Sequence, residues 1–296
     1  MPGAKFIDPV VLSRIGNLEL IAKTVVDGLI NGTHRSPFFG ASVDFAEHRG
    51  YVPGDDIRRL DWRVFARTDK YYIKEFEADS NANFSVLLDV SKSMGFGSRM
   101  SKLDYAKTLA ACLAYLANAQ RDRVGLITFD EAVVEHIPPS AKHLDVVLHT
   151  LDRAVPARPG QLVGPLRKLA EHFGRRGIIV VISDFYAEPE EIFHAVGPIV
   201  HRGNDVVLFH VMDPQEIDFS FADPSSFEDM ESGDQMPIVP TKLAADYRAL
   251  VQAHIDTLTK RAAQQPVDYM LLNTAMPLDF ALFRFLSMRQ RLARTR

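Results

Sequence analysis

Short apolar runs alternate along this chain with longer stretches in which apolar residues return every three or four positions. The runs are Phe84–Asp89, Val124–Phe129, Gly177–Asp184, Asp205–Val211 and residues 267–272. They are rich in Val, Ile, Leu and Phe, which predicts strands buried on both faces of a sheet. Residues 102–120, 142–153, 163–174, 188–201, 241–264 and 277–293 carry the helical period between them. Ala132–Ile137 follows Val124–Phe129 closely enough to predict its hairpin partner. Strands alternating with amphipathic helices imply a mostly parallel sheet covered on both sides. Right-handed crossovers then make the fold class α/β, doubly wound.

The two ends of this rhythm differ from its middle. Residues 9–31 predict a helix, with Asp8 as cap, Pro9 in the first turn and Gly32 after the end. Leu12, Ile15, Leu18, Ile21, Val25 and Leu29 make one apolar face. The stretch 43–84 contains short alternating pieces and predicts a small β-rich layer. Residues 213–240 are acidic and rich in Pro, Ser and Gly, with a hairpin expected around Ser232-Gly233-Asp234. The domain reading is therefore residues 1–80 as an N-terminal helix and β-rich extension. Residues 81–296 form the α/β domain, with an insertion at about 213–240.

Composition narrows the function. The formal net charge of -4 gives no basic field for nucleic acid, and the basic tail Arg289–Arg296 suits a solvated helix end. No apolar run reaches the ~18 residues of a membrane span. The first apolar stretch is broken by Arg14, Asn17, Glu19 and Lys23, so no secretory signal is expected. The one cysteine, Cys112, lies in an apolar run and is expected in the core; with no disulfide possible, a cytoplasmic location is expected.

The candidate chemistry lies at strand ends, where open α/β sheets bind ligands. Two predicted strands end in acids, Asp89 and Asp184, and Ser91 and Ser93 follow the first. A carboxylate and two hydroxyls turned to one centre suit Mg²⁺ or Mn²⁺ and disfavour Zn²⁺. Here the sequence resembles the von Willebrand factor A family. Asp89, Ser91 and Ser93 match its metal-ion-dependent adhesion motif Asp-x-Ser-x-Ser, and Ser183-Asp184 matches its later strand-end aspartate. The resemblance implies metal ligation by Asp89, Ser91 and Ser93, with Asp184 direct or through water. Gln161 stands where the family places a threonine, so the resemblance implies an amide oxygen, on a longer side chain, in place of a hydroxyl ligand.

The blocks His34–Gly40, Phe45–Tyr51 and Pro53–Arg63 narrow this further. They resemble the bacterial family catalogued as domain of unknown function fifty-eight, whose members carry an A-type domain and often accompany MoxR-type AAA+ ATPases. The resemblance implies a metal-dependent protein-interaction module, an adaptor for such an ATPase or its client. In the Pro53–Arg63 block, Asp55, Asp56, Arg58, Arg59, Asp61 and Arg63 suit a salt-bridge network, and Trp62, the only tryptophan, an anchor for the turn.

An enzyme is not expected. Phosphatases with a strand-end aspartyl nucleophile carry a second acid two residues later, and Ser91 occupies that place. The alternatives are a metal-dependent hydrolase or phosphotransferase, and a scaffold whose metal site is degenerate. Gly95–Lys102 lacks the Gly-Lys-Ser or Gly-Lys-Thr ending of a phosphate loop. Gly95 and Gly97 are read as loop flexibility, and Lys92 and Lys102 as solvated. Asp213, Glu216, Asp218 and Asp223 suit a solvated or a functional surface equally.

Overall fold

The structure is a computed structural model and describes residues 17–33, 45–51, 61–76, 82–171, 173, 176–221, 225–230 and 232–294. The chain divides into two compact units, Ile30–Asn81 and the flanking segments up to Leu29 and from Ala82 onward. The helix before residue 30 thus groups with the main sheet, whereas the sequence pattern joins it to the β-rich layer within residues 1–80.

In the smaller unit, β1 (Phe45–Gly50) pairs antiparallel with β2 (Tyr72–Phe76). The helix α2 (Trp62–Thr68) lies between them in sequence. Asp61 caps it by accepting the Val64 N–H at 3.2 Å, and the Asp61 N–H donates to the Tyr72 carbonyl at 2.9 Å. Phe65 stacks on Tyr71 at 4.5 Å. Trp62 is 57% exposed and meets Phe65 edge-on, so it is not a buried anchor. The charged turn at Pro53–Arg59 lies outside the described residues.

The helix α1 (Leu18–Thr33), which belongs to the larger unit as far as Leu29, follows Asn17, whose side-chain oxygen accepts the Leu20 N–H at 2.9 Å. The expected start at Asp8 and Pro9 lies outside the described residues. Ile21, Ala22, Val25 and Val26 form the buried stripe. The sheet comprises β3 (Asn83–Asp89), β4 (Arg123–Phe129), β5 (Val133–Ser140), β6 (Gly177–Ser183), β7 (Asp205–Met212) and β10 (Val267–Asn273). Its order is β10-β7-β6-β3-β4-β5, parallel except for β5. Gly125 of β4 lies where the β4–β5 register slips past Pro138 and Pro139. A Cβ there would stand 2.8 Å from the Ile137 carbonyl oxygen, so the bulge requires glycine.

The helices are α3 (Lys102–Ala119), α4 (Leu144–Arg153), α5 (Val163–Ala170), α6 (Pro189–His201), α7 (Pro214–Asp218), α8 (Pro240–Ala263) and α9 (Leu278–Arg294). Alternate strand residues enter two cores. Leu87, Ile127, Ile179, Val181 and Leu208 pack with α5, α6 and α8. On the other face α3 packs along the central strands, and Phe285 of α9 meets Phe84 and Phe209. Cys112 is fully buried in α3, which pushes its thiol up to about 12. The acidic segment forms α7 and the hairpin β8 (Ser225–Glu228) with β9 (Gln235–Ile238), as its turn residues predict.

Candidate metal centre

From β3 the chain passes to β4 on one side; from β6 it passes to β7 on the other. The crevice between the carboxyl ends of β3 and β6 is therefore the topological switch point. Asp89 ends β3 and is buried. Its Oδ1 accepts the Ser91 N–H at 2.9 Å, and its Oδ2 accepts the Ser183 hydroxyl at 2.6 Å. The pairing Leu88 with Ile182 brings Asp89 level with Ser183. Burial, and then the charge of Asp184, raise the Asp89 carboxyl to about 7.

Ser91 and Ser93 turn their hydroxyl oxygens to 3.1 Å from each other. A short 3-10 turn, Lys92–Gly95, makes this approach, and the Lys92 N–H fixes the loop to the Arg158 carbonyl at 2.9 Å. Gly97 follows in a close approach, where a Cβ would stand 2.0 Å from the Met100 carbonyl oxygen. Its role is steric fit, not the loop flexibility that its sequence setting suggests.

The geometry fits a hard cation in part. Oxygens adjacent around octahedral Mg²⁺ at ~2.1 Å stand about 3 Å apart. The two serine hydroxyls already have that spacing, beside a carboxylate whose oxygens keep lone pairs. Asp89, Ser91 and Ser93 are thus brought together. Gln161 is exposed and its N–H donates to the Asp130 carbonyl at 3.1 Å. Its amide oxygen folds back to 2.8 Å from where Gly164 would carry a Cβ. Among the described residues, no group of three or more His, Cys, Asp and Glu side chains gathers as a metal site. A cation here would rely largely on the serine hydroxyls and the Asp89 carboxylate.

Asp184 has a different setting. It lies one residue past Ser183, beyond the end of β6. Its Oδ2 accepts from the Lys102 ammonium at 2.8 Å, and Lys102 also donates to Glu216 at 2.6 Å. The Lys102 side chain is fully buried, so the expectation that it is solvated is wrong. It stands at the first position of α3, where the positive helix end disfavours a cation. Two acids outweigh that effect and the cost of burial, and the net direction of its pKa is upward. The ammonium also lies 4.9 Å from the centre of the Tyr186 ring.

Glu216 in turn accepts the Asp213 N–H at 2.8 Å, closing a capping box at α7. Asp213 is fully buried and accepts from the Ser98 N–H and hydroxyl, the Gln215 N–H and the Thr274 hydroxyl. Asp213 and Glu216 are therefore parts of a buried network, not surface acids. The sequence carries little signal for Lys102, which follows Ser101 and shares its first turns with Asp104 and Lys107. Nearby His210, fully buried with Nδ1 at 2.7 Å from the Tyr269 hydroxyl, is pushed down to about 3 by desolvation and stays neutral.

The chain belongs to the family described as Protein of unknown function DUF58, whose model matches residues 47–257. This bears out the family resemblance of the sequence. Uncharacterized protein Rv1480 of Mycobacterium tuberculosis is 30% identical over 233 residues, 76% of this chain and 73% of that protein. Among solved structures, BatB from Bacteroides thetaiotaomicron aligns at TM-score 0.47 and 16% identity, over 71% of this chain and 99% of its own. The SpRpn10 VWA domain aligns at TM-score 0.39 and 10% identity, over 68% and 93%. The architecture rests on the strand order and register above, not on these partial alignments. No helix among the described residues is long and apolar enough to cross a membrane.

Proposed function

We propose that this chain is a metal-dependent protein-interaction module. Asp89, Ser91 and Ser93 would hold Mg²⁺ or Mn²⁺ at the switch point of the sheet. The observation that carries this reading is the pair of serine hydroxyls at 3.1 Å, set beside the buried Asp89. Two neutral hydroxyls and one carboxylate leave cation charge uncompensated. The bound ion would supply an electropositive point with exchangeable waters, open to a carboxylate from a partner. The resemblance supports a MoxR-type AAA+ ATPase or its client as that partner.

Isothermal calorimetry tests the reading. Saturable Mg²⁺ or Mn²⁺ binding to the wild type that vanishes in Asp89→Ala is expected, followed by chelator-sensitive partner capture. Equal binding by both proteins would reject the site. A second reading, a scaffold with a degenerate site, is favoured by the position of the Gln161 amide over α5. It expects no binding at millimolar cation and partner capture indifferent to chelator.

A further inference from the structure

We propose that Lys102 is a built-in counter-cation that withholds Asp184 from any divalent ion, leaving the Asp89 loop as a site with a single protein carboxylate. The inference rests on reading that loop as a metal site.

Three observations carry it. First, the ammonium is engaged on three sides: Asp184 Oδ2 at 2.8 Å, Glu216 Oε1 at 2.6 Å and the Tyr186 ring at 4.9 Å. An ammonium has three donors, and no free water is needed to satisfy it. Second, the side chain is fully buried and its stem leaves a capped helix. The Ser101 side chain accepts the Asp104 N–H at 3.0 Å, which fixes that first turn. Glu216 is itself fixed by the Asp213 N–H.

Third, Asp184 lies one residue past the end of β6, close enough for its charge to act on Asp89, and it is the contact with Lys102 that holds it away from the loop. A divalent ion ligated by Asp184 would either share its carboxylate with an ammonium or drive that ammonium out of its pair while still buried. The second arrangement leaves a buried ammonium short of one acid and is strongly unfavourable, and the first lowers the charge that Asp184 offers the ion.

The consequence is a lower negative charge at the metal loop than the two strand-end acids suggest. Ligand charge is a main determinant of affinity in such sites. The loop on its own would bind weakly and gain from an acid brought by another protein.

Mn²⁺ affinity is measured by calorimetry on wild type, Asp184→Asn, Asp89→Asn and the double variant Lys102→Met with Glu216→Gln. The double variant removes the cation together with one of its two acids. Expected results are an Asp184→Asn affinity within about twofold of wild type, and affinity about tenfold tighter in the double variant, where Asp184 is released. A tenfold loss in Asp184→Asn overturns the inference, because Asp184 is then a ligand. Unchanged affinity in the double variant overturns it too. If wild type shows no binding, gain of binding in the double variant supports it and continued absence rejects it. Wild-type affinity in Asp89→Asn would reject the loop as the metal site, separately from the role of Lys102.

Discussion

Asp89 and Asp184 stand at the ends of adjacent parallel strands, and both are almost fully buried. Their surroundings differ in kind. Asp89 receives only neutral donors, from Ser91 and Ser183, and burial lifts its carboxyl to about 7. Asp184 receives an ammonium from its own chain. A single residue along the chain separates the two settings. The residue level with Asp89 is Ser183, and the acid after it faces other elements. Being the acid at a strand end therefore does not define a role; the partner that each face offers does.

The largest test of this contrast is Lys102→Met. Removing the cation leaves Asp184 and Glu216 buried without it, and should cost about 3–5 kcal/mol in urea unfolding. A cost under 1 kcal/mol would mean that the acids are solvated or protonated and that the contrast is false. Next, Asp213→Ala removes a buried acceptor that holds Ser98, Gln215 and Thr274, and should cost roughly 2–3 kcal/mol by the same measurement.

Asp89 gives a pH-dependent test. In chelator, its folded pKa of about 7 lies above its ordinary 3.8. The folded protein then holds a proton that the unfolded chain has lost, so stability falls as pH rises from about 4 to 7. Asp89→Asn, which carries no such charge, should melt higher than wild type above pH 7, with the gap closing toward pH 4. A gap independent of pH would contradict a raised pKa. The smallest stability effect is expected at Ser93→Ala, within about 0.5 kcal/mol. The same change should weaken Mn²⁺ binding by at least about tenfold if the hydroxyl is a ligand.

Much of the fold was legible because its strands are continuous apolar runs. β3, β4, β6 and β7 begin and end within a residue or two of where hydrophobicity places them, and the acidic hairpin sits on its turn residues. The Asp89–Ser93 loop stood out as a motif. Its neighbours did not. The distinction between Ser183 and Asp184 depends on the β3–β6 register, which the sequence does not carry across the intervening residues. Lys102 follows Ser101 in a polar loop and reads as surface; its two acids come 82 and 114 residues later. Trp62 misled in the other direction, since a lone tryptophan suggests a buried anchor and this one opens a short helix with its ring exposed.

The prolines of β5 bear on something other than metal. Pro138 and Pro139 stand on the outermost strand beside Gly125, and neither has an N–H to offer. A seventh strand laid against that border would meet a gap in the donor row and a bulge that twists it away. On that side, the sheet is closed to lateral growth and to amyloid-like stacking of copies. The β5 border thus carries a safeguard against strand pairing between copies along one flank.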